Sequence, residues 1–229
     1  MPNHTEIYKH KAETYYKLIS KQNNLVYTIE KIRPIKGLDI VDLGAGTGRL
    51  ASVLAEEAKS IIALDASQEM LNITKKRLKK AGFTNWKTIV SDLRKLPLQD
   101  QSADLVVAGW SICYLGSENN PYWEQDIYKV IKEMKRVLRS NGTIIIFETH
   151  GTGVTSPAPP DFLKKYYTAL VDDYGFSHQC IRLDYTFDHI NQAEELTRFF
   201  FGNDLADKVV RENLVQLPEC ARFCGCKYN

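Results

Sequence analysis

The chain has 229 residues, 44% of them hydrophobic and 25% charged, with 30 basic against 28 acidic side chains for a formal charge of +2. That length suits one domain able to bury its own core without disulfide or metal staples. The near-zero charge excludes a bulk field that gathers nucleic acid or an anionic membrane.

No apolar run approaches the ~20 residues of a membrane span, and the start, "MPNHTEIYKHKAETYY", lacks the apolar stretch of a signal peptide. Five irregularly spaced cysteines argue against a disulfide framework and for a reducing, cytoplasmic setting.

In chain order, residues 1–35 form an apolar and aromatic prelude of one or two helices, which either packs as an outer layer or covers a ligand mouth. From Lys36 apolar runs alternate with amphipathic ones. Leu38–Leu43 reads as a buried strand and Arg49–Ala58 as a helix. Ser60–Asp65 is the second strand, and the helical "SQEMLNITKKRLKKAG" that follows carries its lysines on a solvated face. Trp86–Asp92 and Ala103–Trp110 are the third and fourth strands. A long helix over Tyr122–Arg139 leads through the turn "SNG" into strand Thr143–Glu148. Strands bridged by helices in this way build right-handed βαβ units around a parallel sheet covered on both faces.

Beyond Glu148 the texture changes. "THGTGVTSPAPP" reads as loop, and "DFLKKYYTALVDDYGF" as a helix ending at Gly175. His178–Phe187 alternates as a half-buried or edge strand does. "NQAEELTRFFFG" is a helix with Asn191 as its N-cap, Gly202 as its stop and the Phe run in the core. A further helix ends near Leu217, and "ARFCGCKYN" closes as the last strand. The chain thus divides into a cover (1–35), a cofactor-binding core (36–150) and a substrate side (151–229) of one domain.

The chemistry concentrates in "VDLGAGTGRL", Val41 to Leu50. In open α/β sheets, ligands bind beyond the carboxyl ends of the strands, beside the first one. Gly44 and Gly46 allow positive φ and close backbone approach there, and Gly48 lets helix and strand pack tightly. Three alternate glycines exceed the needs of a plain turn. The dinucleotide pattern G-x-G-x-x-G fails at its third glycine, where Arg49 stands, and no Gly-Lys-Ser/Thr of a P-loop follows. Asp65 ends the second strand, placed to accept both hydroxyls of a ribose. With Asp42 and Asp92 it makes three acids at the ends of three successive strands, which reads as a nucleoside cradle; capping of "LRKLP" is the alternative use of Asp92.

The segments "VDLGAGTGRL", "ALDASQEML", "SDLRKLPLQDQSADLVVAGWSICYL" and "EMKRVLRSNGTIIIFE" resemble, in order and spacing, the consecutive motifs of class I S-adenosylmethionine-dependent methyltransferases. The resemblance spans about Leu38 to Glu148. It implies a Rossmann-like, doubly wound, mostly parallel seven-stranded sheet whose final strand, "ARFCGCKYN", is antiparallel. It also implies S-adenosylmethionine as cofactor, with Gly44, Ala45 and Gly46 along its methionine part and Asp65 on its ribose. Ala66 and Met70 then flank the adenine, Asp92 and Leu93 bound it, and Trp110 and Ser111 face the transferring methyl. "AETYYKLIS" is similar to the A-x-x-Y-D helix of small-molecule members, whose tyrosine lies over the cofactor. Tyr15 takes that place, and Tyr16 stands where the family has an acid.

The expected reaction is in-line displacement at the sulfonium methyl, to which a protein contributes alignment and exclusion of water. A general base is required only when the acceptor brings a proton. His150, two residues past the fifth strand, is the candidate base, against the plainer reading of an ordinary loop histidine. Tyr114 and Cys113 either line the pocket or pack the helix after strand four. Cys224 and Cys226 share a strand face without a zinc spacing, so no metal is expected. A small-molecule acceptor is expected, with no nucleic acid and no membrane as partner. Two rivals stand: a nicotinamide-dependent oxidoreductase or epimerase, and a non-catalytic cofactor-binding module.

Overall fold

The computed structural model describes residues 2–228. Three short helices open it: α1 (His4–His10), α2 (Ala12–Ile19) and α3 (Val26–Ile32). The expectation of one or two helices is corrected by two local breaks. Lys11 leaves helical geometry at φ −134, and the Asn24 carboxamide accepts from the Val26 amide to start α3 afresh.

Then follow β1 (Asp39–Leu43), α4 (Ala51–Leu54), β2 (Ser60–Asp65), α5 (Gln68–Lys80), β3 (Trp86–Val90) and β4 (Ala103–Gly109). Next come α6 (Cys113–Gly116), α7 (Trp123–Val137), β5 (Leu138–Thr152), α8 (Lys164–Asp172), β6 (Ser177–Arg182) and β7 (Tyr185–Thr186). The chain closes with α9 (Ile190–Phe201), α10 (Asn203–Arg211), β8 (Gln216–Leu217) and β9 (Glu219–Lys227).

Seven strands form one sheet in the order β3-β2-β1-β4-β5-β9-β6. β1 to β5 pair in parallel, and β9 is antiparallel to both β5 and β6. The closing strand is therefore antiparallel, as expected, but it lies inside the sheet, with β6 at the edge.

Both faces are buried. On one, Val41, Leu43, Val106, Ile144 and Ile146 meet Ile127, Val130, Ile131 and Met134 of α7. On the other, Ile40, Ile61, Ala63, Val107 and Ile145 meet Leu71 and Leu78 of α5 and Ile29 of α3. The helices form because their apolar residues recur at helical spacing, and their ends are chemically marked. Ser67 accepts from the Met70 amide at the start of α5. In α7, Glu124 and Asp126 lie in the first turn and Lys135 and Arg136 in the last, complementing the helix dipole.

Four further readings are corrected. β5 does not stop at Glu148: antiparallel pairing of Thr149 with Ala221 and of Thr152 with Glu219 carries it on, so His150 lies within a strand and not in a loop. The single strand over 178–187 is two, because Asp184 turns the chain out of the sheet, accepting from the Glu219 amide while its carboxylate pairs with Arg182. Gln216 and Leu217 do not end a helix; they pair with Thr186 and Tyr185 in a small second sheet. The N-cap of α9 is His189, whose imidazole accepts from the Gln192 amide, and not Asn191.

Candidate cofactor and acceptor site

The strand order reverses between β1 and β4, so the crevice of this sheet opens at their carboxyl ends. The glycine loop fills it. Gly44 has φ +65, and a Cβ there would lie 2.2 Å from the Cβ of Ser111. Ser111, just past β4, donates its hydroxyl to the Leu43 carbonyl at 2.8 Å, which stitches the ends of β1 and β4 together. Gly46 is held from below by Thr74 of α5, whose hydroxyl donates to its carbonyl at 2.7 Å. Ala45 is buried, its amide donating to the Leu64 carbonyl at 2.8 Å.

The three acids do not sit level. Register places Asp42 beside Ala63 and Asp65 beside Val90, so Asp42 lies below the rim. It is 1% exposed and accepts from the Ala51 amide at 2.9 Å, tying β1 to the start of α4. Asp65 is at the tip. One of its oxygens accepts from the Gly46 amide and the other from the Ser67 amide, both at 2.8 Å. A carboxylate has about four lone-pair sites, so two remain for a ligand. Asp92 is turned to Arg94, which grips both its oxygens at 2.6 to 3.1 Å and holds the carboxyl below its ordinary range.

Around this rim, Met70 is buried with its methyl end against Gly46, Ala66 is exposed and Leu93 is buried. Tyr15 of α2 comes within electrostatic reach of both Asp65 and Arg49, and burial pushes its phenol up to about 12. Its neighbour Tyr16 lies under the Arg77 guanidinium, 4.7 Å from the ring centre. Trp110 is held at φ +53, a strained value for a bulky residue. The structure thus brings Tyr15, Gly44, Ala45, Gly46, Asp65, Met70, Trp110 and Ser111 to one rim, with Asp42 beneath it and Asp92 engaged elsewhere.

Residues 41–146 match a family profile described as "Methyltransferase domain". A malonyl-[acyl-carrier protein] O-methyltransferase of Marinomonas sp. (strain MWYL1) is 28% identical over 186 residues, 80% of this chain and 62% of that protein. A demethylmenaquinone methyltransferase of Lactococcus lactis subsp. lactis (strain IL1403) is 33% identical over 134 residues, 56% of this chain and 50% of that one. The chain therefore spans between half and two thirds of the length of these two relatives. The fold matches that of the YcgJ protein from Bacillus subtilis, with TM-score 0.63 at 15% identity over 90% of this chain and 97% of that one. Residues 41–146 are thus similar to a methyltransferase domain, and the fold around them is that of the YcgJ protein.

Two groups in this chain escaped the reading of its sequence. The first is Arg49, seen there only as the residue that spoils a third glycine. Its guanidinium stacks 3.7 Å from the centre of the Trp110 ring and donates to the Gln22 carboxamide at 2.7 Å. Among the described residues it has no carboxylate partner within ion-pair distance. A Gly-loop arginine had no signal of its own, because its stacking partner is 61 residues away.

The second is the set His4, Tyr8 and Phe200, which join the anticipated Tyr15 and Tyr114 in an aromatic cover on α1, α2, α6 and α9. Phe200, expected in the core, stacks flat on His4 at 4.3 Å. His150 stands apart from this cover. It stacks on Tyr167 at 5.9 Å, its Nδ1 is buried without a partner, and burial lowers its pKa.

Three acids are buried beneath the rim and along the strands that follow it. Glu148 accepts from the Cys113 amide at 2.9 Å and from the Tyr166 hydroxyl at 3.3 Å, and Glu219 accepts from the Thr149 hydroxyl at 3.1 Å. Each leaves its other oxygen unpartnered. Burial pushes Asp42, Glu148 and Glu219 each up to about 7.

A carboxyl whose folded pKa lies above its unfolded value of about 4 gains a proton on folding. Its stabilising contribution is complete in acid and disappears as pH rises through 7. The melting temperature of the ligand-free chain is therefore expected to rise by a few degrees as pH falls from 8 to 6.5, and less so in Glu219→Gln. His4, His150 and His178, each lowered from 6.5, oppose this weakly at the acid end of the window and more strongly below it. A melting temperature that falls over the same window would contradict the burial of these acids as free carboxyls.

Proposed function

We propose that this chain binds S-adenosylmethionine at the glycine rim and transfers its methyl group to a small-molecule acceptor. The observation that carries this is the pairing of opposite charges within reach of one tyrosine. Asp65 offers spare lone pairs to a ribose, and Arg49 offers a guanidinium without an acid partner to a carboxylate. S-adenosylmethionine carries both of those groups. Bound there, it supplies an already activated methyl, so the protein's share is alignment and exclusion of water.

Gly44, Ala45 and Gly46 then line the methionine part, Ala66, Met70 and Leu93 the adenine, and Trp110 with Ser111 the methyl end. Tyr15 covers the cofactor. Asp42 and Asp92 act at one remove, by shaping the loops. Residues 151–229, with the aromatic cover, form the acceptor side of what we read as a single domain, 1–229. The small-molecule reading is supported by the two relatives, whose names specify malonyl-[acyl-carrier protein] and demethylmenaquinone as their acceptors. No helix among the described residues is long and apolar enough to cross a membrane. The five free cysteines suit a reducing cytoplasm.

Calorimetry with S-adenosylmethionine, S-adenosylhomocysteine, 5′-methylthioadenosine and NAD tests this. The adenosyl amino acids are expected to bind and NAD to bind poorly; tight NAD binding with no response to the others would overturn the reading. Arg49→Met is expected to weaken S-adenosylmethionine about 10- to 100-fold, the worth of a lost charge-assisted contact. The same change should leave 5′-methylthioadenosine, which has no carboxylate, nearly untouched. Equal losses for both ligands would remove Arg49 from the carboxylate subsite.

A further inference from the structure

The aromatic cover contains a hydrogen-bond chain whose direction is dictated by chemistry. The His4 Nε2 lies 3.1 Å from the Phe200 carbonyl oxygen, and its Nδ1 lies 3.1 Å from the Tyr114 hydroxyl. A carbonyl only accepts, so Nε2 carries the proton and Nδ1 presents a lone pair. The Tyr114 hydroxyl therefore donates to Nδ1. Its oxygen is then free to accept, and the Tyr8 hydroxyl is within hydrogen-bond distance to donate to it. The chain runs Tyr8 to Tyr114 to His4 and ends with the lone pairs of the Tyr8 oxygen as its open end.

Tyr8 itself borders the site. The backbone carbonyl of Tyr8 accepts from the Ser67 hydroxyl, two residues past Asp65. The Tyr8 ring meets that of Tyr15 edge-on at 5.2 Å and packs in the cluster that contains Met70. On the other side Tyr114 directly follows Cys113, two residues beyond Ser111.

We propose that Tyr8, Tyr114 and His4 form a proton relay that draws the proton from a neutral hydroxyl acceptor, an alcohol or a phenol, as it is methylated. This rests on the methyl-transfer reading above. The acceptor oxygen bonds the methyl carbon while the carbon–sulfur bond breaks and its electron pair stays on sulfur. The acceptor's proton passes to the Tyr8 oxygen, Tyr8's to Tyr114 and Tyr114's to His4 Nδ1. One positive charge is lost at the sulfonium and one appears on the imidazolium, which returns its proton to water. Tyr8 touches the acceptor; Tyr114 and His4 act through it.

Alternative acceptors fit the relay less well. A carboxylate arrives without a proton at neutral pH and needs no relay. The phenols cannot serve as ionised bases, because burial pushes Tyr8 and Tyr114 up, so they pass a proton on and do not keep it. Burial also lowers the pKa of His4, against the raising effect of its bond to the Phe200 carbonyl, which keeps the imidazole neutral at pH 7. The titratable groups against it are Tyr8 on its own helix and Tyr114 on α6; α9 contributes the Phe200 ring and carbonyl.

Nitrogen-15 spectra of the histidine rings in the full chain, with and without S-adenosylhomocysteine, test the relay apart from turnover. The His4 signals are assigned by their loss in His4→Gln. At pH 7.5 they are expected to show the neutral Nε2–H tautomer, titrating below 6.5. In Tyr114→Phe the Nδ1 signal is expected to move, because its donor is gone. A His4 that is charged at pH 7.5, or that carries its proton on Nδ1, would overturn the relay.

Kinetics on a panel of phenols, alcohols and carboxylic acids complete the test. His4→Gln and Tyr114→Phe are each expected to lower kcat on hydroxyl acceptors about 100-fold and to abolish the acid limb of the pH profile. The KM for S-adenosylmethionine should stay unchanged. An unaltered pH profile, or methylation confined to carboxylates, would also overturn it. Failure of S-adenosylhomocysteine to bind counts against the methyl-transfer reading instead, since the tautomer is read without it.

Discussion

Asp65→Ala is expected to cost at least 100-fold in affinity for S-adenosylmethionine. Hydrogen bonds from neutral donors to a charged carboxylate contribute about 1.5–3 kcal/mol each when lost, and two ribose hydroxyls are at stake. The loss has a second source inside the protein. Asp65 also fixes the Gly46 and Ser67 amides at 2.8 Å, so its removal loosens the loop itself. Asp65→Asn separates the two sources, because its one remaining acceptor oxygen can hold an amide while the charge is gone. Calorimetry reads the affinity and circular dichroism the fold. Wild-type affinity in Asp65→Ala would show that the ribose lies elsewhere.

Gly44→Ala is expected to be the most damaging single methyl group in the chain. The new Cβ would stand 2.2 Å from the Ser111 Cβ and 2.6 Å from its hydroxyl oxygen, in a backbone at φ +65. The left-handed conformation alone costs roughly 1–2 kcal/mol for a residue with a Cβ, and overpacking adds about 1–3 kcal/mol. A melting temperature lower by about 10 °C follows for a chain of this size, together with loss of cofactor binding.

Ser111→Gly in the same chain removes the clash but not the strain, so it is expected to restore part of the stability. Gly37→Ala is the internal control, with φ +74 and nothing within 4 Å of the new atom. It should show the strain term only. If Gly44→Ala and Gly37→Ala melt alike, the approach of Ser111 to Gly44 is wrong.

The parts of this molecule that were legible in its sequence are those governed by near neighbours. β2, read over Ser60–Asp65, has those same bounds because a short apolar run flanked by a turn and a cap has one reading. The helix read over Ser67–Gly82 is α5, because its apolar residues Met70, Leu71, Ile73 and Leu78 recur at helical spacing. The break at Gly202 was marked by the residue type that tolerates φ +96. Gly44 was legible as a glycine that something requires, though Ser111 as the reason was not.

What stayed hidden depended on contacts between distant segments. His150 was read as a loop residue because the strand that extends β5 through it arrives only at 219–221. Asp42, Asp65 and Asp92 looked alike as strand-ending acids. The register of β1 against β2 sank the first, an arginine two residues on took the third, and Asp65 alone kept lone pairs at the rim. The aromatic cover illustrates the same limit. His4 lies 110 residues from Tyr114 and 196 from Phe200, so its tautomer is set by partners that no local pattern announces.

By itself, then, the sequence determined the alternation of strands and helices, the glycine loop and the acid at the tip of β2. Each of these follows from propensity, spacing and turn chemistry within a few residues. Only the tertiary structure decided which acid keeps lone pairs at the rim, where Arg49 points and which histidine joins the aromatic cover. Burial, register and hydrogen-bond direction are properties of packed neighbours, and packing brings together residues that the chain keeps far apart.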